Sequence, residues 1–154
     1  MRSLTCSRPF LFAVLGVLLA FTPLTQAEHQ CSPDGVAVGG YDLVSYHSEE
    51  GPLMGTTALT MTHDGLSYRF ANPANLQQFS QNPDRFLPRY RGFCATTLAM
   101  GRLVCPNYRN FKIEDGDLLL FEMTGFTNGR TLWDSDPLGF RQRADAFAKK
   151  LLGL

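Results

Sequence analysis

Two Asp-Gly pairs constrain this chain more than any other feature. Asp64-Gly65 and Asp115-Gly116 each sit between short apolar runs. A two-residue turn of this kind needs positive φ at its central positions, which Asp and Gly tolerate, so each pair predicts a β-hairpin. Leu59, Met61, Leu66, Tyr68 and Phe70 flank the first turn; Phe111, Ile113 and the run Leu118 to Phe121 flank the second. Helix signals fall between and after the hairpins. Asn72-Pro73 opens a helix, with Asn to cap orphan N–H groups and Pro suited to the first turn, and Asn82-Pro83 closes it. Leu76 and Phe79 face the core in that helix. Phe93 to Met100 is small or apolar and predicts a short buried helix stopped by Gly101.

Ser135-Asp136-Pro137 starts a C-terminal amphipathic helix, with Asp136 or Ser135 as its cap. Phe140, Ala144, Phe147, Ala148 and Leu151 form its apolar stripe, and Arg141, Arg143, Lys149 and Lys150 its solvated face. Nearer the start, Val36 and Val38 predict a short strand ending at Gly39-Gly40, and Tyr41 to Tyr46 continue as extended chain. Thr127-Asn128-Gly129 predicts a turn. Hairpins mixed irregularly with about three helices define a small single-domain α+β fold. No internal repeat is visible in the sequence.

The first 27 residues stand apart. Arg2 and Arg8 precede an uncharged apolar run from Phe10 to Phe21, and small residues follow at Thr25-Gln26-Ala27. Basic start, apolar middle and small end predict a secretory signal peptide over 1–27, cleaved after Ala27. The run is shorter than the ~20 residues of a membrane-spanning helix, so no stable membrane insertion is expected after cleavage. The folded domain is then 28–154, secreted and periplasmic. The full chain carries 14 basic and 14 acidic side chains, and loss of the two arginines leaves it two charges negative. That balance excludes nucleic-acid binding by phosphate neutralisation. An apolar content of 44% with 12 phenylalanines excludes a disordered chain.

Three cysteines, Cys31, Cys94 and Cys105, lie beyond the leader. An oxidising compartment favours pairing, three thiols cannot all pair within one chain, and spacing alone does not decide between Cys31–Cys105 and Cys94–Cys105. A free Cys94 at a helix start beside Arg91 would favour thiolate, the form that binds soft metals or attacks electrophiles; a small buried hydrophobe is the plain alternative. A copper(I) site would draw on Cys94 together with Met54, Met61, Met100, Met123 or His47. Met100 follows Cys94 by six residues, which on one helix turns it about 240° away. His47, followed by Glu49 and Glu50, reads as a partly solvated side chain, and His63 as a hairpin-tip residue. His29 would weakly bind Cu(II) if it followed a free amine. No nucleophile elbow, phosphate loop or dinucleotide fingerprint appears.

Several segments, in order, resemble the YHS domain family in its secreted bacterial branch. They are Gly40-Tyr41-Asp42-Leu43-Val44-Ser45-Tyr46, Gly55, Asp64-Gly65-Leu66-Ser67-Tyr68-Arg69-Phe70, Phe79, Asn82-Pro83, Phe86, Pro88 and Tyr90-Arg91-Gly92-Phe93-Cys94-Ala95. Ile113, Asp115-Gly116, Leu118, Trp133 and Ala144-Asp145 complete the series, which spans about Val36 to Ala146. The resemblance implies a small α+β module, related to modules that bind metal through cysteines. The family usually keeps the cysteine that matches Cys94, and an aspartate matching Asp42. Cys31 and Cys105 are additions to the pattern, which implies that they pair with each other. Arg91 stands where the family often has glycine, and the paired cysteines of the metal-binding relatives are absent. The expected function is a non-catalytic module that binds copper, zinc or a small ligand near Cys94, with Asp42 and Met100 as further candidate ligands. The alternatives are a structural or protein-interaction module and a thiol-dependent enzyme using Cys94; no particular partner is indicated. An Asp42 that simply accepts backbone N–H bonds in a turn is the competing reading of that carboxylate.

Overall fold

Both Asp-Gly turns form as expected, and each organises half of the molecule. A computed structural model describes residues 31–154; the expected signal peptide and His29 lie outside the described residues. Strand β1 (Thr56–His63) pairs antiparallel with β2 (Leu66–Phe70), and β3 (Asn107–Glu114) with β4 (Asp117–Phe121). Asp64 and Asp115 adopt φ of 47° and 55°, with Gly65 and Gly116 also positive. The four helices are α1 (Pro73–Gln81), α2 (Ala95–Ala99), α3 (Gly129–Ser135) and α4 (Pro137–Leu151). This is the expected small α+β domain, with four helices among the described residues and a long one at the C-terminus.

The caps explain where the helices begin. Asn72 Oδ1 accepts from the Asn75 N–H at 2.9 Å, and Asp136 Oδ1 from the Gly139 N–H at 3.1 Å. Asn128, expected in a turn, caps α3 by accepting from the N–H groups of Arg130 and Thr131. The Asn128-Gly129 pair thus opens a helix, because its side chain satisfies donors that a turn would leave to water.

The two halves repeat one plan that the sequence conceals. In each, an eight-residue strand, an Asp-Gly turn and a five-residue strand are followed by an Asn-capped helix. Each hairpin also breaks register early in its first strand, between Thr56 and Thr60 and between Asn107 and Phe111. The side chains differ, so the likeness is one of backbone alone.

Each half has its own apolar core. Phe70, Phe79, Phe86, Leu43, Tyr46, Leu118 and Leu120 lie in the first. Trp133, Phe93, Leu98, Leu119, Phe121, Phe140, Ala144 and Ala148 lie in the second. Strand β4 divides them, since successive side chains point to opposite faces: Leu118 and Leu120 to one core, Leu119 and Phe121 to the other. Pro88 and Cys94 form parallel bridges to Leu118 and Leu120, so the segment between them runs beside β4.

Two expectations for the start of the domain fail. Val36 to Gly40 is not a strand: Val36 makes one parallel bridge to Ser67, and Ala37–Gly40 is a tight 3₁₀ turn. Nor does the extended chain run through to Tyr46. Tyr41 bridges Met54, and the backbone then coils around the Asp42 carboxylate into a second 3₁₀ turn at Ser45–His47.

Arg141 also departs from expectation. Its side chain is only 17% exposed and bonds Glu114 Oε1 at 3.0 Å and Asp117 Oδ2 at 2.8 Å, so it docks α4 onto the second hairpin instead of facing water. Glu114 also receives Lys112 Nζ at 2.7 Å and Trp133 Nε1 at 3.3 Å. Burial works to raise the pKa of Glu114, but the bonds from Lys112, Arg141 and Trp133 outweigh it and hold the carboxyl below its ordinary value. A depressed folded-state pKa contributes stability above the unfolded pKa of ~4.3 and loses it as pH falls through the folded value. The native protein should therefore lose stability on acidification below about pH 4.3 more steeply than Glu114→Gln, as measured by urea midpoints across that range. Parallel acid limbs would contradict this.

Cys31 and Cys105 form the disulfide that the family resemblance implied, with Cα atoms 5.3 Å apart across 74 residues of sequence. Among the described residues no helix is long and apolar enough to cross a membrane.

Candidate functional site

A cleft of about 450 Å³ opens where the chain segments of the two halves meet. Its apolar wall includes Val38, Leu66 and Leu87, and its polar lining includes Asp64, Asp84, Arg89, Arg91, Tyr108 and Asp117. Cys31 and Ser32 also line it, so the disulfide holds one wall in place.

Hydrogen bonds fix Tyr108 within that wall. Its Oη donates to the Cys31 carbonyl at 2.7 Å, and its own carbonyl accepts from Tyr46 Oη at 2.7 Å. Burial, with Asp34 adding to it, pushes the Tyr108 hydroxyl above its ordinary pKa, so it stays protonated and able to donate. The ring lies against Gly39: a Cβ built there would sit 2.6 Å from Cδ2 of the ring. Gly39 also has φ of 61°, so both space and backbone demand glycine.

Arg89 is braced from two sides. It reaches Asp117 Oδ2 at 2.6 Å and Asp145 Oδ1 at 3.2 Å, while Tyr90 Oη donates to the same Asp145 oxygen at 2.9 Å. The hydrogen bond to Asp145 and the nearby carboxylates raise the Arg89 pKa, and the side chain serves as a fixed cation at the cleft edge.

Backbone conformation marks this cleft out. Among the described residues, four other than glycine have positive φ, and Asp64 and Asp115 are the two hairpin turns. The others are Val38 (φ 46°) and Arg91 (φ 52°), and both line the cleft. Left-handed backbone costs about 1–2 kcal/mol for a residue with a Cβ, and a β-branched valine is the least suited to it. Such conformations persist where surrounding structure enforces them, and they gather at functional sites.

The candidate ligands singled out in the sequence, Cys94, Asp42 and Met100, are not in the cleft lining. Cys94 is a free thiol, as expected, but it is 0% exposed. It precedes α2, and its N–H donates to the Val104 carbonyl at 2.9 Å. Met100, just past the other end of α2, is half-exposed, so one sulfur faces inward and the other outward. Asp42 is fully buried in the first half, and its carboxylate accepts four hydrogen bonds, from Val44, Ser45, Ala71 and Asn75. The turn reading describes it, with two further partners supplied by β2's end and α1. Cys94 and Met100 thus stand at opposite ends of α2, and all of the hydrogen bonds given for the Asp42 carboxylate come from protein N–H groups. Among the described residues there is no group of three or more His, Cys, Asp or Glu side chains that could hold a metal ion.

The other soft-ligand candidates are scattered. Met54 and Met123 are exposed, and Met61 packs on the first core. His63 ends β1, 3.5 Å from Asp64, with its ring against Tyr68 and Phe79. His47 is partly solvated, as expected, but its ring stands edge-on to Phe86 and its Nε2 is buried without a hydrogen-bond partner. Burial, and the charge of Arg85, lower its pKa and favour the neutral ring.

Sequence reasoning missed Val38, Leu87, Tyr108 and the role of Arg89. One signal was available, since a valine directly before Gly39-Gly40 is placed as a turn residue rather than as a strand end. Compared with family models, with curated proteins and with solved structures, the chain returns no match.

Proposed function

We propose that this protein is an exported YHS-type module that acts by binding, without catalysis, and that a small ligand with an apolar body and polar ends occupies the cleft beside Arg91. The observation that carries this reading is the coincidence of strain and space: Val38 and Arg91, both held in left-handed backbone, line the same cavity. Its volume suits a small molecule, and its mixture of hydrocarbon with a few convergent polar groups is what such sites present. Arg91 and Gly92 lie two or three residues before Cys94, so the site falls in the segment that the family resemblance marked, with its wall rather than its thiol as the binding element. A soft metal on Cys94, and a nucleophilic Cys94, draw no support from a sulfur with no exposed surface. The Cys31–Cys105 bridge supports the periplasm or another oxidising compartment as the place of action.

Arg91→Gly tests the proposal. Glycine relieves the left-handed strain, so the unfolding free energy should hold or rise by up to about 1 kcal/mol. Amide NMR of the native protein against a panel of small amphipathic fragments should show shifts grouped on Val38, Leu66, Leu87 and Arg91. The same fragments should bind Arg91→Gly at least about tenfold more weakly, a loss of ~1.4 kcal/mol. Fragments that perturb only residues outside the cleft, or bind both proteins alike, would remove the basis for the reading.

A second reading, a protein-interaction module, is favoured by one separate observation. Phe126 is fully exposed at the tip of a turn closed by the Thr124 N–H to Thr127 carbonyl bond of 2.9 Å, and Met123 and Leu138 are exposed as well. An aromatic ring held outward by a closed turn is costly to leave in water and suits burial against another surface.

A further inference from the structure

The two hairpins share a plan, but their outer strands do not share a composition. Strand β3 carries Arg109, Lys112 and Glu114, and other segments engage it. Lys112 bonds Asp134 of α3, the Asn110 amide bonds the Glu122 carbonyl, and the Tyr108 carbonyl accepts from Tyr46. Strand β1 has no Asp, Glu, Lys, Arg or Pro in its eight residues and, among the described residues, pairs with β2 alone. No backbone hydrogen bond from any other described segment reaches 57–62. Natural edge strands are ordinarily guarded by charge, proline, a bulge or a covering element. The register break between Thr56 and Thr60 disturbs only the first half of β1, and Thr60 to His63 remain in regular pairing with Arg69 to Leu66. Leu59 and Met61 turn to the core, while Ala58, Thr60 and Thr62 are exposed.

We propose that β1 is a dimerisation edge, through which two copies of this chain join by antiparallel β1–β1 pairing into one four-stranded sheet about a twofold axis. The strand itself names the occupant. When identical strands pair antiparallel about a twofold, any charge on the edge meets its own copy or a near neighbour, and like charges directly opposite destabilise. Strand β1 avoids this in every register, since Thr, Ala, Leu and Met face one another, and Thr opposite Thr is a favourable cross-strand pair. His63, beside Asp64 at the strand's end, is its one titratable side chain. Eight residues extend only about 27 Å, so the interface is small and the association should be weak.

Sedimentation equilibrium on the purified, oxidised protein from about 1 to 200 µM tests this. The native protein should pass from monomer to dimer over that range. Thr60→Lys with Thr62→Lys should remain monomeric throughout, with circular dichroism at low concentration like that of the native protein. Thr60→Glu with Thr62→Glu should behave likewise, and an equimolar mixture of the two variants should form dimers again, because opposite charges then face across the axis. A native protein monomeric at every concentration overturns the proposal and leaves the edge to some other extended peptide. A dimer that survives the lysine pair overturns it in favour of a different surface, and a variant mixture that stays monomeric overturns the antiparallel β1–β1 arrangement.

Discussion

Asp42→Ala should destabilise the protein by about 3–5 kcal/mol, the scale reached when a buried charged group is removed from its partners. The carboxylate is fully buried and accepts from the Val44 N–H at 2.9 Å, the Ser45 N–H at 3.4 Å, the Ala71 N–H at 2.9 Å and Asn75 Nδ2 at 2.7 Å. Three of these donors are backbone groups, and each donor stranded by the substitution costs roughly 1–3 kcal/mol. The bonds also cross segments: they tie the coiled start of the domain to the end of β2 and to α1. For a domain of this size the loss corresponds to a melting temperature lower by on the order of 15 °C. Asp42→Asn keeps the shape but turns one oxygen into a donor among donors, so it should lose about half as much. Denaturant unfolding of the three proteins decides the matter. An alanine variant within about 1 kcal/mol of the native protein would show that water or rearrangement replaces the carboxylate.

Reduction of the Cys31–Cys105 bond carries the second large effect. The bond closes a loop spanning 74 residues of sequence, and loop-closure entropy of that length is worth about 4 kcal/mol. Cys31→Ala with Cys105→Ala should therefore melt on the order of 15 °C below the oxidised native protein. The native protein in excess reductant should fall to the same temperature, because the loss belongs to the cross-link rather than to the side chains. A gap of only a few degrees would mean that the unfolded chain is already compact near its start. The cleft should suffer as well, since Cys31 and Ser32 form part of its wall and Tyr108 is anchored to the Cys31 carbonyl.

What could be read from the sequence was local. Asp64-Gly65 and Asp115-Gly116 determine their turns within two residues, and Asn72 and Asp136 reach donors three residues ahead. No distant partner is needed for any of these, so the hairpins, α1 and α4 were legible. The stretch from Val36 to Tyr46 was not, because its backbone answers to remote groups: Ser67 beside Val36, Tyr108 over Gly39, Ala71 and Asn75 on Asp42. Arg141 looked like a solvated charge because its acidic partners Glu114 and Asp117 belong to a hairpin more than 20 residues earlier. The cleft fails for the same reason in stronger form. Its wall is assembled from segments near residues 31, 38, 66, 87, 91, 108 and 117, and no window of sequence contains it. The family resemblance pointed to the segment around Cys94 but drew attention to its thiol, whereas Arg91 and Gly92 are the members that reach the cavity.

The placement of Cys31, Cys94 and Cys105 sets an order of events for making this protein. Among these three thiols three pairings are possible, and in an unstructured chain Cys94 competes with Cys105 for Cys31 on roughly equal terms. Once the fold has closed over Cys94, which is fully buried, Cys31 and Cys105 are the cysteines among the described residues that remain open to an oxidant. Collapse before oxidation thus gives a single product, and oxidation before collapse gives a scrambled mixture that must be reshuffled. Tight packing around residue 94 acts in this way as a built-in protecting group, and the yield of correctly bridged material becomes a clock for how early the core forms.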